Sequence, residues 1–457
     1  MGFLNMRFND CGGDLMASWT RLGRFFAVLG CLGSATTGLA FADLPLIAVP
    51  DNAVPVSRLN QRTEGPERLV AVLREALAFY PTLKVKRGEL DAAQFEVEGA
   101  EWGRYPTLRG QARGLSNALG GGSATQLTLQ QPLWTGGRIT GQIRKSEAGV
   151  AASRSAMGGT ELEVLTKTAS AYFDRLRLEA RLESALSNEV EHQRLLDIIQ
   201  RRVAAEVSPV ADQTQAAARK HQATTERIQI ERQLADAKSR LEQLVGRPVA
   251  ALTTPRITLD SAGLARLRAA ALAYSPEYKR LQAEIERADA EAELARASVM
   301  PTLYIAHEMN IGTLLSGQER NFTYLGLEAN SGAGLSSLST IKAAAARKQA
   351  ARDQLRAYEQ ELLQQMDSFW AEVVALEGQL APVQDILLGS DAIVNSYLRQ
   401  FVVGRKNWLD VLNAQREKAQ TYASLADIEA NLLLGKLRLR LLAGEITAQN
   451  LDALNGS

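Results

Sequence analysis

The chain has 457 residues, of which 46% are hydrophobic and only 6% are aromatic. Its 52 basic and 51 acidic residues give a net charge of +1, which excludes the strongly basic surface of a nucleic-acid-binding protein. The abundance of alanine, leucine, glutamine, arginine and glutamate is typical of long helices rather than of a sheet-rich domain. The three histidines lie far apart and no catalytic triad or carboxylate pair stands out, so we predict no enzyme activity, no cofactor and no metal site.

A secretory signal peptide is predicted over residues 1–42. Arg21 and Arg24 supply its basic region, an apolar stretch follows, and residues 40–42 (Ala-Phe-Ala) form a cleavage site with small residues at both ends. The residues before Met16 do not resemble a signal sequence, so translation from Met16 is an alternative to translation from the first methionine. In either case we expect the protein to be exported.

Both cysteines, Cys11 and Cys31, lie within this predicted signal. Cleavage after Ala42 would therefore leave a mature chain with no disulfide and no thiol chemistry. A competing interpretation takes residues 28–31 (Val-Leu-Gly-Cys) as a lipobox, which would make Cys31 a lipid anchor. Only six residues separate Arg24 from Cys31, which is short for the apolar core that such a signal needs.

The rest of the sequence is an internal duplication. The motif Ala-Leu-Ala-Phe-Tyr-Pro at residues 76–81 recurs as Ala-Leu-Ala-Tyr-Ser-Pro at 271–276, and Pro-Thr-Leu at 106–108 recurs at 301–303. Both pairs are separated by 195 residues. Repeats of this kind predict a structural unit of roughly 190 residues, and tandem units form rings and tubes more readily than single catalytic pockets.

The offset between the copies grows to 198 residues further along the chain, where Asp212 aligns with Asp410. The duplication rules out two unrelated domains. We expect an N-terminal linker over 43–64, a first structural repeat over 65–250, a second over 251–445 and a C-terminal tail over 446–457.

Each repeat is predicted to begin with a helix, over 66–103 and 261–298, because apolar residues recur there every three or four positions. The pattern then changes to strict alternation, which indicates a hairpin of two strands. A glycine-rich turn is predicted at 119–122 in the first hairpin. The predicted strands cover about 104–117 and 123–133 in the first repeat, and about 300–313 and 321–331 in the second.

The hairpins have the alternation of a transmembrane β-barrel, with Arg109, Gln111 and Arg113 on the face that would line a wet lumen. Beyond the signal, no run of ~18 apolar residues predicts a transmembrane helix, so an exported chain is either free in the exported compartment or inserted as strands. Four strands cannot close a barrel, which needs about eight, so further copies of the chain would be required. The alternative is a pair of hairpins packed on a soluble core.

Very long helices follow the hairpins, over 137–204 and 335–403, with Pro382 as an expected kink or break in the second. After a short interruption each helix is followed by a returning helix, over 211–245 and 408–442. Pairs of long antiparallel helices imply coiled-coil packing. A secreted coiled-coil structural protein is a remote alternative, because it does not explain the hairpins.

Two motifs carry a family resemblance: residues 131–138 (Gln-Pro-Leu-Trp-Thr-Gly-Gly-Arg) and residues 401–415 (Phe-Val-Val-Gly-Arg-Lys-Asn-Trp-Leu-Asp-Val-Leu-Asn-Ala-Gln). With the duplicated order of elements, they make residues 63–444 resemble the TolC family of bacterial outer-membrane exit ducts. The resemblance implies an α+β membrane protein that forms a homotrimer. Three chains would build a twelve-stranded transmembrane barrel in outer-membrane lipid, on a long α-helical barrel in the periplasm.

The same resemblance implies two further partners, a periplasmic adaptor and an inner-membrane ABC exporter or proton-driven pump. We expect the chain to be an exit duct for type I secretion that passes a polypeptide, for instance a large adhesin. Lipidated N-termini are common among the drug-efflux relatives, and this signal lacks a convincing lipobox. The alternative is the outer-membrane component of a tripartite drug-efflux pump.

In this family the helical turns nearest the pump close the tunnel with charged residues. By position, Asp410 resembles a pore-facing aspartate, Asp212 is its counterpart in the first repeat, and Lys406 stands where a latch arginine commonly lies. Three aspartates around a three-fold axis would repel one another and attract cations. The alternative for Asp410 and Lys406 is a solvated helix start, where an acidic side chain is simply favourable.

The sequence departs from the family pattern at three positions of these turns. Asn413 replaces a second acidic ring, Phe401 replaces a latch tyrosine, and Glu206 stands where the first turn usually has glycine. The second turn carries Arg405 and Lys406, whereas the first has Ser-Pro at 208–209. We therefore expect the second turn to provide most of the latch.

Overall fold

The structure is a computed structural model that describes residues 67–117, 120–259, 263–312, 319–329, 333 and 336–454, without the side chains of 113–117 and 120–124. The predicted signal peptide and most of the predicted linker therefore lie outside the described residues. The described residues all belong to one compact unit, Thr63–Ser457.

Both copies of the repeat fold into the same order of elements: two short helices, a strand hairpin, a helix of 67 residues and a returning helix. The first copy comprises α1 (Leu69–Phe79), α2 (Pro81–Trp102), β1 (Thr107–Asn117), β2 (Gly120–Trp134), α3 (Arg138–Ala204) and α4 (Val210–Val245). The second comprises α5 (Gly263–Tyr274), α6 (Pro276–Ala297), β3 (Thr302–Gly312), β4 (Asn321–Glu328), α7 (Ser336–Val402) and α8 (Trp408–Leu442). A short 3-10 helix follows at Leu451–Leu454.

The single helix predicted at the start of each repeat is wrong, because a proline divides it into two. Pro81 and Pro276 each begin a new helix, and the residue before each proline is extended, with ψ of 117° at Tyr80 and 115° at Ser275. Proline disfavours helical backbone in the preceding residue but fits the first position of a helix. In the second copy the Ser275 side chain also caps the new helix by accepting the N–H of Tyr278 at 3.2 Å.

Two further local predictions are corrected. The expected break at Pro382 is absent, since α7 continues through this residue. Pro382 is exposed, so water can bind the carbonyl group that loses its partner, and the packing of α7 along α8 offsets the ~3 kcal/mol that a proline inside a helix typically costs. In the first hairpin, residues 120–122 lie in β2 rather than in a turn.

The four strands form one antiparallel sheet in the order β1-β2-β3-β4. One face is apolar and exposed: Leu108, Leu325 and Leu327 are 72%, 64% and 70% exposed. The outer edges, along β1 and β4, have no strand partner within the described chain. None of the described helices combines the length and the hydropathy that crossing a membrane requires.

The main core combines both copies around the short helix α1. Tyr172 on α3 lies at its centre, fully buried, and donates its hydroxyl hydrogen to the carbonyl oxygen of Thr253 at 2.6 Å. Glu67 is also buried, and Arg247 forms two hydrogen bonds with its carboxylate, at 2.8 and 2.9 Å. Fully buried apolar side chains around them come from all parts of the described chain: Leu73 of α1, Leu165 of α3, Leu241 of α4, Leu437 and Leu441 of α8, and Ile446.

Both long hairpins turn through a residue with left-handed backbone. Glu206, with a φ of 56°, occupies this position in the first copy, and Gly404, with a φ of 76°, occupies it in the second. The next residue donates its N–H back to the helix in both copies: Val207 to the Arg202 carbonyl at 2.9 Å, and Arg405 to the Gln400 carbonyl at 2.8 Å. The two turns are therefore the same helix-ending motif, which normally uses glycine.

This motif predicts opposite effects for two substitutions. A side chain in left-handed backbone costs about 1 kcal/mol relative to glycine. We expect Glu206→Gly to raise the midpoint of thermal unfolding, followed by circular dichroism, and Gly404→Ala to lower it. Ala205→Gly, in the same turn but at negative φ, is the control and should give no gain. A lower midpoint for Glu206→Gly would contradict the assignment.

A seam of polar residues joins α3 of the first copy to α8 of the second. The buried Gln415 amide donates to the Asn188 side-chain oxygen at 3.2 Å. One turn away, His192 is buried, and its Nδ1 has no hydrogen-bond partner among the described residues. Burial, together with the positive charge of Arg219, lowers the pKa of the His192 imidazole.

The lowered pKa of His192 predicts a loss of stability in acid. The unfolded chain takes up a proton near pH 6.5 and the folded chain only at lower pH, so the free energy of unfolding falls as the pH drops below about 6.5. We expect His192→Gln to weaken this pH dependence and the exposed His221→Gln to leave it intact. Denaturation midpoints between pH 5 and pH 7.5 measure the effect, and identical pH profiles for His192→Gln and the parent would refute it.

Candidate functional site

The predicted gate residues lie at the far end of the two long helical hairpins, where the turns of both copies meet. Arg202 of the first copy donates to the carbonyl oxygen of Val402 in the second at 3.5 Å. Its guanidinium also lies 4.7 Å from the centre of the Phe401 ring. These contacts hold the first turn against the second.

An apolar cluster beneath the turns fixes their position. Trp408, the first residue of α8, is 2% exposed, and its ring centre lies 5.3 Å from that of Phe401. Burying an aromatic pair of this size stabilises the contact by a few kcal/mol. The other buried members come from α3, α4 and α8: Leu195, Leu196, Ile199, Ala216, Val411 and Leu412.

Asp410 and Lys406 are brought together by the second turn. The Lys406 Nζ lies 3.5 Å from the Asp410 carboxylate and 4.3 Å from the centre of the Tyr397 ring. Asn407 caps α8 between them by accepting the N–H of Leu409 at 3.3 Å. Both charged side chains are partly exposed, and ion pairs of this kind are worth only ~0.3–0.5 kcal/mol. This pair can therefore exchange partners at little cost.

The other predicted gate residues are not part of this ion pair. Asp212 lies in the first turn of α4, partly exposed, at the position that corresponds to Asp410. Arg405 and Asn413 are exposed. Within the described residues we find no contact between Asp212 and Asp410. The contacts of Tyr397 and Arg202 at these turns were not predicted from the sequence.

The predicted lumen residues lie on the polar face of the sheet. Arg109 and Gln111 are exposed there, and Gln111 is paired in the sheet with Gln126 of β2. The predicted Arg113 is paired through its backbone with Ala124, but its side chain lies outside what the structure describes.

A carboxylate that the sequence did not single out also lies on this face. Glu308 of β3 accepts hydrogen bonds from the Gln126 amide at 2.8 Å and from the Tyr324 hydroxyl at 2.9 Å. Both donors are neutral groups, so neither hydrogen bond pairs the Glu308 carboxylate with a cation. Within the described residues, no group of three His, Cys, Asp or Glu side chains is placed to hold a metal ion.

The fold is similar to that of several solved outer-membrane proteins. The outer membrane protein VceC of Vibrio cholerae has 18% sequence identity and a TM-score of 0.72, over 82% of this chain and 96% of its own. The CmeC outer membrane channel of Campylobacter jejuni has 14% identity and a TM-score of 0.71, over 85% and 88%. The open state of the MtrE outer membrane channel of Neisseria gonorrhoeae has 16% identity and a TM-score of 0.69, over 82% and 89%.

These similarities confirm the predicted fold of two tandem helix–hairpin–long helix–helix repeats. Among curated proteins, no sequence matches this chain. The family model for outer membrane efflux proteins matches residues 72–247 and 267–445, which is well over half of the chain and includes both repeats. The family resemblance predicted from the sequence is therefore confirmed, and the chain is an outer-membrane protein that extends into the periplasm of a Gram-negative bacterium. The chain belongs to the outer membrane efflux protein family.

Proposed function

We propose that three copies of this chain form a continuous exit duct through the outer membrane and across the periplasm. The observation that carries the proposal is the four-stranded sheet, whose two edges are unpaired within the described chain. Unpaired edge strands in lipid would leave backbone polar groups without partners, which costs several kcal/mol for each group. Three chains supply twelve strands, and a closed twelve-stranded barrel leaves no edge.

The two faces of the sheet support this arrangement. The exposed leucines of one face suit contact with lipid acyl chains, and the polar face carries Arg109, Gln111 and Glu308 for a water-filled lumen. The long helices α3 and α7, about 100 Å each at ~1.5 Å per residue, would form the periplasmic part of the duct. The function needs no chemical step in this chain, since passage depends on pore width and lining charge.

For the cargo we propose efflux in a tripartite assembly with a periplasmic adaptor and an inner-membrane pump. The family that the chain belongs to is described as an efflux family. The prediction of type I secretion rested on the N-terminal segment, which lies outside the described residues. Small-molecule efflux is therefore tested against the alternative, in which an ABC exporter delivers a polypeptide to the duct.

The duct itself predicts a trimer in the outer-membrane fraction. We expect the full chain to sediment with outer membranes and to migrate in unheated detergent gels at the mass of three chains, and as a single chain after boiling. A soluble periplasmic monomer would contradict the proposal.

For cargo, a host that lacks its own exit duct should regain both dye efflux and drug resistance when it expresses this chain with its pump. Rescue of polypeptide secretion alone would favour type I secretion.

We further propose that Asp410 forms an acidic ring at the periplasmic end of the duct. Its position in the first turn of α8 and its weak pair with Lys406 support this role. Three carboxylates near a common axis would concentrate cations and raise the barrier for anions.

The proposed ring predicts a change in conductance and ion selectivity. In planar bilayers, Asp410→Ala should raise the single-channel conductance and reduce the preference for cations, because the repelling carboxylates and their pairs with Lys406 are removed. Asp212→Ala, the corresponding change in the first copy, is the matched comparison and should have a smaller effect. If Asp410 only stabilises the start of α8, Asp410→Ala will lower the unfolding midpoint and leave both channel properties unchanged.

A further inference from the structure

The register between neighbouring protomers follows from the duplication, if the proposed trimer holds. Strands β1 and β2 belong to the first copy, and β3 and β4 to the second. The chain therefore contains one junction between copies, where β2 pairs with β3. Between two protomers, β4 of one would meet β1 of the next. This junction corresponds to the one within the chain, because β4 is the counterpart of β2 and β1 is the counterpart of β3.

The two hairpins define which residues correspond. β1 and β3 have 11 residues each and begin 195 positions apart, at Thr107 and Thr302. Thr107 is paired with Gln130 and Thr302 with Glu328. Glu328 in β4 thus corresponds to Gln130 in β2, at the offset of 198 that also separates the long helices.

The junction within the chain supplies the register. There Gln130 is opposite Ala306 and Leu129 is opposite His307. At the junction between protomers, the counterpart of Gln130 is Glu328 and the counterpart of Ala306 is Gln111. In the same way, Leu129 corresponds to Leu327 and His307 to Ala112.

We propose that each protomer joins the next with Glu328 opposite Gln111 and Leu327 opposite Ala112 of the neighbour. In this register the polar face continues across the seam at Glu328 and Gln111. The apolar face continues at Leu327, which is 70% exposed in the single chain. A shift of one residue would turn the apolar side chains of one protomer towards the lumen.

The duplication selects this register over those shifted by two residues, which would also preserve the faces and one of which would place Arg109 directly opposite Glu328. Arg109 lies two residues from Gln111 on β1, so it is a diagonal neighbour of Glu328 across the seam. Diagonal positions are ~7–8 Å apart at the Cα atoms, within reach of an arginine and a glutamate. Among the described residues neither Arg109 nor Glu328 has an ion-pair partner within its own chain. The seam would therefore hold three Arg109–Glu328 pairs, one at each protomer boundary.

Disulfide crosslinking tests the register directly, because a disulfide needs Cα atoms within about 7 Å. The double variant Gln111→Cys with Glu328→Cys should oxidise to a covalent ring of three chains, seen on denaturing gels without reductant and lost with reductant. The register control is Arg109→Cys with Glu328→Cys, on the same face but shifted by two residues. Each single-cysteine variant controls for pairing with the natural Cys11 or Cys31.

The outcomes separate the register from the trimer. Crosslinking of Gln111→Cys with Glu328→Cys alone supports the proposal, whereas preferential crosslinking of the control pair overturns the register. A trimer by native mass spectrometry in which neither pair crosslinks also overturns it. A monomer by native mass spectrometry refutes the proposed trimer itself, and with it the seam.

A charge exchange provides a second readout. Glu328→Arg should lower the temperature at which the trimer dissociates in detergent, because two arginines then lie diagonally across the seam from each other. Adding Arg109→Glu to that variant should restore much of the loss, since it recreates an opposite pair. Absence of any restoration would show that Arg109 and Glu328 are not neighbours.

Discussion

The unpaired backbone groups along β1 and β4 are the constraint on which the rest of the structure depends. A sheet in lipid must satisfy every N–H and C=O internally, and a four-stranded sheet with two edges cannot do so alone. The exposed leucines on one face add a second demand, because they need lipid rather than water. In the proposed trimer, pairing with further copies would satisfy the edges and lipid would cover the leucines. Closure would also bring the helical turns of each protomer towards a common axis.

Duplication lets one unit supply most of this assembly, and the two copies differ where function requires it. Their strand registers and helix-ending turns correspond residue by residue, down to left-handed backbone at Glu206 and Gly404. The copies differ in charge at the turns, where the second copy carries Lys406, and at the sheet edges, where β1 is basic at Arg109 and β4 is acidic at Glu328. The proposed trimer would contain six similar helical hairpins, two from each protomer. The charged turn of the second copy would occur only three times around the duct.

Much of the fold was predictable, because repetition and side-chain alternation are properties of the sequence itself. The motifs at residues 131–138 and 401–415, together with the duplicated order of elements, carried the family resemblance. The breaks before Pro81 and Pro276 were missed because the apolar pattern continues across them. Glu308 and Arg202 were missed for a different reason. Their roles depend on partners 16 to about 200 residues away, and no local pattern records such pairs.

The main core has a consequence for biogenesis. Helix α1, near the beginning of the described chain, packs against α3 and α4 of its own copy and against the 3-10 helix Leu451–Leu454, close to the end of that chain. Contacts of such long sequence separation form slowly, because the intervening chain must be ordered first. An exported chain that emerges N-terminus first can pack α1 on α3 and α4 early, but it cannot complete this core until its C-terminal part has arrived. Until then part of the apolar core stays exposed, and exposed apolar surface of this kind is prone to aggregation.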